Sequence, residues 1–435
     1  MNEMIAKILS AREERNINIS KLVNSFDVLS LKANIVGLNK NVFESYFLIN
    51  YFEKIIDKKI PKYDSKHYYL SSDGPYILYC YQKNIITNLK KKAVDIENNE
   101  PLGRFVDLDI YLNSNQSIKR SKMRKCLICD NDAFICNRLK KHSDQELFKV
   151  IDDNILSQLS KDIFDAINLA MDYELKLPYK FGCVCVNDCG SHLDMDYKIM
   201  LDAKNAIIPY FIKMFKLSFE ESNLDILFNK IRVIGMDAEE AMYQSTNGVN
   251  CYKGLIFIMG LIVTSIGYII KNQYHSKYVL NNIFDNIKTM CRYLHIEVTD
   301  KNINKTNGLK AYLESNLKGA RHEAINGFYC VLNNYLKLEN LDKENLEKCL
   351  INIIGDIDDT VMYTRCGSLK KYLKVKEMIK NININGKSFW DELILVNRYC
   401  IKENISVGGA CDILIVIIFL KIFMEKLTFV EKEYA

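Results

Sequence analysis

The chain has 435 residues, 49% hydrophobic and 26% charged, with only 5 Pro and 18 Gly, which excludes a disordered, collagen-like or low-complexity polymer. At about 100 to 200 residues per domain it is too long for one compact core, so two or three domains are expected. Lys and Arg total 59 against 54 Asp and Glu, a formal charge of +5, and so even a balance does not by itself indicate nucleic acid.

The first 16 residues carry charges every few positions and no apolar run, so no signal peptide is expected. Without an export route the 14 cysteines are expected to be reduced, and the cytoplasm is the expected location. Up to about residue 143 the texture is mixed, with β-like runs at 25–36, 76–81 and 104–112 and a helical one at 41–58, an α+β pattern. Beyond it, apolar residues recur at helical spacing over 146–171, 205–219, 277–293, 341–354 and 410–426. These regimes meet in the polar segment 140–145, which predicts an α+β domain over 1–145 and an all-helical domain over 146–435. The longest uncharged run, 254–270, falls short of the roughly 20 residues that span a bilayer and reads as a buried helix.

In 104–112, strand alternation sends Val106, Leu108, Ile110 and Leu112 to one face and Phe105, Asp107, Asp109 and Tyr111 to the other. Two carboxylates about 7 Å apart on one face can converge on a hard cation, which in turn binds nucleotide phosphates. The same alternation describes a solvated strand face. Gly103 allows close backbone approach and Arg104 offers a phosphate fork. Next, Cys126, Cys129, Cys136 and His142 follow a Cys-x2-Cys-x6-Cys-x5-His spacing that can close a tetrahedral zinc site, although a cysteine-rich chain also produces Cys-x-x-Cys by chance. Lys119, Arg120, Lys122, Arg124, Lys125, Arg138, Lys140 and Lys141 are interleaved there, as a polyphosphate or acidic-partner site or as an ordinary solvated edge.

These residues resemble the phosphoribosyl-dephospho-CoA transferases that install the prosthetic group on the acyl carrier subunit of citrate lyase. The similarity covers 1–145: Ala11 to Arg15, Asn34 to Lys40, Gly74-Pro75, Gly103 to Asp109 and the Cys126 to His142 run. Where the family has Asn-Ile-Pro-Gly-Pro-x-Lys, both prolines are replaced, by Val36 and Leu38, and Lys40 is kept.

Four polar clusters interrupt the helical half. Lys180 is followed by Gly190-Ser191-His192-Leu193-Asp194-Met195-Asp196, with three metal-binding or proton-transfer groups within five residues. Glu239 precedes a run from Ser245 to Gly254 in which Asn250 reads as a helix N-cap. Lys253 then falls in a first helical turn, where a cation is disfavoured unless an anion occupies the helix mouth. The third cluster holds Arg321 and Glu323. The fourth joins Asp359 and Arg365 to Gly408, Gly409 and Asp412, where backbone N–H groups before an apolar helix are expected to be open to an anion.

Together the clusters resemble the triphosphoribosyl-dephospho-CoA synthase family over 177–420. Lys180, His192, Asp194, Asp196, Glu239, Thr246, Asn250, Lys253, Arg321, Glu323, Asp359, Arg365 and Asp412 match its motifs. Phe181 replaces a Pro, Cys185 an Asp, Cys251-Tyr252 a Thr-His pair, His322 a Gly, Val361 an Asn, Cys366 a Gly and Val407 a Pro. The two resemblances imply a bifunctional transferase with a nucleotidyltransferase-like mixed sheet in its first half. It would make triphosphoribosyl-dephospho-CoA from ATP and dephospho-CoA, releasing adenine. It would then transfer phosphoribosyl-dephospho-CoA to a serine of the apo carrier subunit, releasing pyrophosphate. They assign Asp107 and Asp109 to magnesium, Arg104 and Lys40 to phosphates, Asp194, Asp196 and Glu239 to metal or base roles, and Lys253, Arg321 and Arg365 to the triphosphate. Neither a membrane nor a nucleic acid is an expected partner. The alternatives are a degenerate nucleotide-binding scaffold in the helical half and a zinc-bearing nucleic-acid module at the N-terminus.

Overall fold

The computed structural model describes residues 2–84, 88–112, 116–118, 123–273, 279–294 and 307–427. Lys119, Arg120 and Lys122 of the basic stretch, and residues 277–278 of one expected helix, lie outside them. Two compact units divide between Leu159 and Ser160, inside helix α5 (Asp144–Lys176), whereas the composition change placed a boundary at 145/146. The segment 140–145 is polar because it starts this helix. Ser143 N–H donates to Glu146 Oε2 at 2.8 Å and Glu146 N–H to Ser143 Oγ at 3.2 Å, a reciprocal cap.

The first unit contains α1 (Asn2–Val23), β1 (Phe26–Ala33), α2 (Phe43–Lys59), β2 (Ser65–Ser71), β3 (Gly74–Gln82), α3 (Leu89–Asn99), β4 (Val106–Tyr111) and α4 (Ala133–Arg138). Its strands form one sheet, β2-β3-β1-β4, with every pairing antiparallel, which corrects the expected mixed sheet. A tight turn between Ser71 and Gly74 folds β3 back along β2. The crossover through α3 then brings β4 in parallel to β3 but on the far side of β1, which runs the other way.

Register fixes two faces. Leu29, Leu31, Ile77, Leu108 and Ile110 are fully buried on one. On the other, Ile19 and Val23 of α1 pack with Val28, Tyr76, Leu78 and Tyr111. That face turns polar where β1 meets the first residues of β4, because Lys32 lies opposite Asp107 and Ser30 opposite Asp109. The strand starts at Val106, not Arg104: residues Gly103–Phe105 form a 3-10 turn that buries Phe105, so Phe105 does not join the aspartates.

The second unit is helical throughout its described elements. After α5 come α6 (Tyr197–Leu217), α7 (Leu224–Ser245), α8 (Lys253–Asn272), α9 (Val279–Met290), α10 (Asn307–Ser315), α11 (Ala320–Ile325), α12 (Tyr329–Lys337) and α13 (Lys343–Asp356). They are followed by α14 (Thr360–Cys366), α15 (Leu369–Lys380), α16 (Phe389–Lys402) and α17 (Gly408–Leu427). Helix α8 packs against α6, α7, α9 and α17 and forms the core. Its 20 residues are long and apolar enough to cross a membrane by length and composition, because Lys253, Lys271 and Asn272 extend the uncharged run. Burial inside the protein, rather than a short length, makes it a core helix.

Candidate functional site

In the helical unit the starts of α8 and α17 and the loop before α6 enclose a cavity of roughly 270 Å³. Glu174, His192, Asp194, Asn250, Tyr252, Lys253, Arg365, Gly408 and Asp412 line it. Across Lys253 lies a second, mainly apolar cavity of roughly 580 Å³, where Glu239 and Arg321 are the charged companions of Lys253 and Arg232. The clusters thus meet in two neighbouring pockets that share one lysine.

Glu174 is buried, and its Oε1 accepts a 2.5 Å bond from Lys180 Nζ while Oε2 has no partner among the described residues. Tyr252 Oη is likewise buried without a partner among the described residues. A pocket with an unsatisfied carboxylate oxygen and hydroxyl is prepared to receive a polar ligand. Asp412 is pushed well above the usual carboxylate range, first by burial and then by Asp359 and Glu174. It also sits against Gly254, where a Cβ would lie 2.1 Å from Asp412 Oδ2, so only glycine leaves room for this carboxylate at the mouth of α8.

Arg365 donates to His192 Nδ1 at 2.8 Å and to the Ser191 carbonyl at 3.0 Å. An arginine only donates, so His192 Nδ1 accepts and Nε2–H donates to Ser406 Oγ at 3.0 Å. Burial, then Arg365, pull His192 down to about 4 and keep it neutral. Its two ring nitrogens are thus both engaged within the protein, while the ring still lines the cavity.

Several expected site residues are instead structural. Lys180 is 1% exposed and committed to Glu174, so it is closed to a phosphate. Asp196 caps α6, accepting from Ile199 N–H at 2.9 Å, and does not line the pocket with Asp194. Buried Thr246 directs its hydroxyl at the Met242 and Val249 carbonyls and closes α7. The N-cap of α8 is Tyr252 rather than Asn250, although Asn250 Oδ1 accepts from Lys253 N–H at 3.2 Å. Lys253 itself is 2.5 Å from Glu239, so a carboxylate already answers its misfit with the helix dipole. Glu323 is raised by burial and interacts with Cys330, away from the linings of both cavities.

The glycines that open α17 are not free to hold an anion. Asp359, 2% exposed, accepts from Val361, Met362 and Ala410 N–H groups at 2.9 to 3.0 Å, and its carboxylate lies against Gly409. A built-in carboxylate thus fills the site a phosphate was expected to take and caps two helices at once. Phe181 has φ 47°, a value closed to the proline of the family motif, so the turn after Lys180 has its own shape.

In the first unit the polar end of the sheet gathers cations. Asp73, at the β2–β3 turn with its side chain fully buried, accepts from Arg15 at 2.9 Å, from Arg12 at 3.3 Å and from Lys32. Burial, then Arg15, lower Lys32 to about 8, and burial also lowers Lys40, which feels both Asp73 and Arg12. Four cations around one buried acid suit a polyanion. Asp107 and Asp109 adjoin them, since burial, Asp109 and Asp107 raise Tyr111 while Arg15 lowers it. Arg124 donates to Asp107 Oδ1 at 2.6 Å, to Glu97 Oε1 at 2.7 Å and to the Val106 carbonyl at 2.7 Å. Arg104, the expected phosphate ligand, instead donates to the Lys125 carbonyl at 2.6 Å. The donor atoms of Cys126, Cys129, Cys136 and His142 lie within 4.8 Å of one another.

Residues 160–429, more than half of the chain, match the family described as ATP:dephospho-CoA triphosphoribosyl transferase. The chain belongs to that family. The triphosphoribosyl transferase domain is joined to residues 3–158, which match the apo-citrate lyase phosphoribosyl-dephospho-CoA transferase family. The whole chain is 28% identical to Protein CitXG of Leuconostoc mesenteroides subsp. cremoris, over 96% of each protein. It is 25% identical to Protein CitXG of Haemophilus influenzae, over 95% of this chain and 94% of that one. The triphosphoribosyl transferase domain also aligns with a Vibrio cholerae serotype O1 protein named "Probable 2-(5''-triphosphoribosyl)-3'-dephosphocoenzyme-A synthase", 29% identical over 56% of this chain and 82% of that protein. The chain is thus a bifunctional transferase of citrate lyase prosthetic-group synthesis, and neither alternative is favoured.

Proposed function

We propose that the triphosphoribosyl transfer takes place in the two adjoining cavities of the helical unit. A hydroxyl of dephospho-CoA attacks the anomeric carbon of the ATP ribose, the bond to adenine breaks with its electron pair, and adenine takes up a proton as it leaves. Glu174, through its unpartnered Oε2, takes the hydroxyl proton, and Asp412, which burial keeps protonated, donates hydrogen bonds on the same floor. Lys253 and Arg321 hold the triphosphate and Arg365 fixes the loop carrying Asp194, the carboxylate at the rim that would take a magnesium–triphosphate.

The carrying observation for the first unit is the cation group Arg12, Arg15, Lys32 and Lys40 beside Asp107 and Asp109. In a nucleotidyltransferase-like reaction, the acceptor serine oxygen of the citrate lyase carrier subunit attacks the innermost phosphorus of the triphosphate, the adjoining P–O bond breaks and pyrophosphate departs. Two carboxylates on one strand face fit magnesium, with Asp107 keeping one oxygen beyond its bond to Arg124. Bound there, magnesium would neutralise the departing pyrophosphate. The cytoplasm is the proposed place of action.

Adenine release from ATP and dephospho-CoA tests the first reaction, and a mass increase of the apo carrier tests the second. Arg321→Ala is expected to raise the KM for ATP about 10-fold or more, the loss of one charge-assisted phosphate contact of roughly 1.5 kcal/mol. Wild-type protein that releases no adenine would reject the assignment.

A further inference from the structure

We propose that Cys126, Cys129, Cys136 and His142 form a zinc site that holds Arg124 against Asp107. The fold builds the site from a knuckle and a short helix. Lys125 bridges Asp132, Cys126 N–H donates to the Asn131 carbonyl at 2.8 Å, and Ala133 N–H donates to the Arg124 carbonyl at 2.9 Å. This turn presents Cys126 and Cys129. Helix α4 adds Cys136, and Lys141 N–H donates back to the Cys136 carbonyl at 3.0 Å, with Lys140 at φ 48° turning the chain toward His142.

Cys129 Sγ lies 3.4 Å from Cys136 Sγ and 3.3 Å from His142 Nε2, and all four donors fall within 4.8 Å. Tetrahedral zinc with bonds of about 2.0 to 2.3 Å separates its ligand atoms by roughly 3.5 to 3.8 Å, so small side-chain rotations complete the site. The sulfurs are not bonded to each other. Among the described residues this is the convergent set of Cys, His, Asp and Glu donors.

A second observation points to a metal. Between 123 and 142 the single buried residue is Cys136, while Met123, Ile128, Phe134, Ile135 and Leu139 are all exposed. A twenty-residue excursion with no core of its own does not hold its shape by hydrophobic burial, and a four-ligand metal supplies the missing constraint. The excursion begins at Arg124, whose guanidinium bridges Asp107, Glu97 and the Val106 carbonyl, and Arg104 clasps the next carbonyl. Losing the metal therefore loosens the arginine that borders the two aspartates. This coupling rests on the transferase reading of the first unit, whereas the metal stoichiometry does not.

The experiment uses the full chain, with zinc released by a thiol reagent and measured colorimetrically. Retention of about one zinc per chain after gel filtration, loss of that zinc in Cys129→Ser, its retention in His142→Cys, and a tetrahedral spectrum after cobalt exchange are the expected results. Removing the zinc with a zinc-selective chelator while magnesium is kept in excess is expected to lower carrier modification at least 10-fold with adenine release unchanged, and added zinc to restore it. A chain carrying no metal, a Cys129–Cys136 disulfide in its place, or equal zinc in Cys129→Ser would overturn the site. Stoichiometric zinc whose removal leaves carrier modification unaltered would overturn its link to Arg124 alone.

Discussion

Replacing Lys180 by Met separates a structural lysine from a phosphate ligand. Lys180 is 1% exposed and Glu174 2% exposed, with Nζ 2.5 Å from Oε1. Burial, the largest single effect, lowers the lysine, but the Glu174 charge, Cys411 and Cys183 and the hydrogen bond to Glu174 together outweigh it and hold the ammonium above its ordinary value. Met preserves most of the volume and leaves Glu174 as a buried charge without a counter-ion. Breaking such a pair on one side costs about 3–5 kcal/mol. At roughly 2–4 °C per kcal/mol for a unit of this size, thermal unfolding of Ser160–Leu427 moves down by about 6–20 °C. Adding Glu174→Gln removes the stranded charge and is expected to recover most of that loss while abolishing adenine release, since the proposed base is gone. Differential scanning calorimetry and an adenine-release assay run well below the transition read the two effects separately. Should Lys180→Met lose adenine release with its melting temperature within about 2 °C of wild type, the lysine would be touching substrate and the argument from burial would fail.

Gly254→Ala, which in an ordinary helix interior gains about 1 kcal/mol, is expected to reverse sign here and to depress adenine release, because its Cβ would meet Asp412 Oδ2 at 2.1 Å. A higher melting temperature with full activity would contradict this. Asp359→Ala strips caps from α14 and α17 and is expected to cost about 2–4 kcal/mol in denaturant unfolding, with Asp359→Asn losing less. Lys32, lowered to about 8 from an ordinary 10.5, loses its charge as pH rises through 8, so the KM for the triphosphate donor in carrier modification should climb above that pH. Lys32→Arg should flatten the profile. The sign for stability is opposite: the folded value lies below the unfolded one, so the first unit should gain stability from about pH 8 toward 10.5.

Periodicity located β4, because an alternation in which three positions pack and three do not leaves its mark in the residue types themselves. It did not locate β2, whose residues Ser65–Ser71 are nearly all half-buried at a sheet edge and show no alternation. The metal-ligand spacing was legible for the same local reason as β4: Cys126, Cys129, Cys136 and His142 fall within one short excursion. Asp73 and Lys32 were not, since their meeting depends on strand register and on a turn forty residues away. Glu174 sits in the last turn of α5 with nothing in its neighbours to set it apart, and only the approach of Lys180, α8 and α17 makes it a pocket residue. Asp359 misled for a related reason: a sequence shows glycines ahead of a helix, but not that a carboxylate from another element has already docked on their amides.

Phe181 carries a consequence for how this lineage can still change. Its left-handed backbone and completely buried ring have become interdependent with the turn around them. A proline at this position would demand a torsion of opposite sign and evacuate an aromatic ring from the interior in a single step. Transplanting the proline-bearing motif into this chain would therefore require its surrounding loop to come along with it.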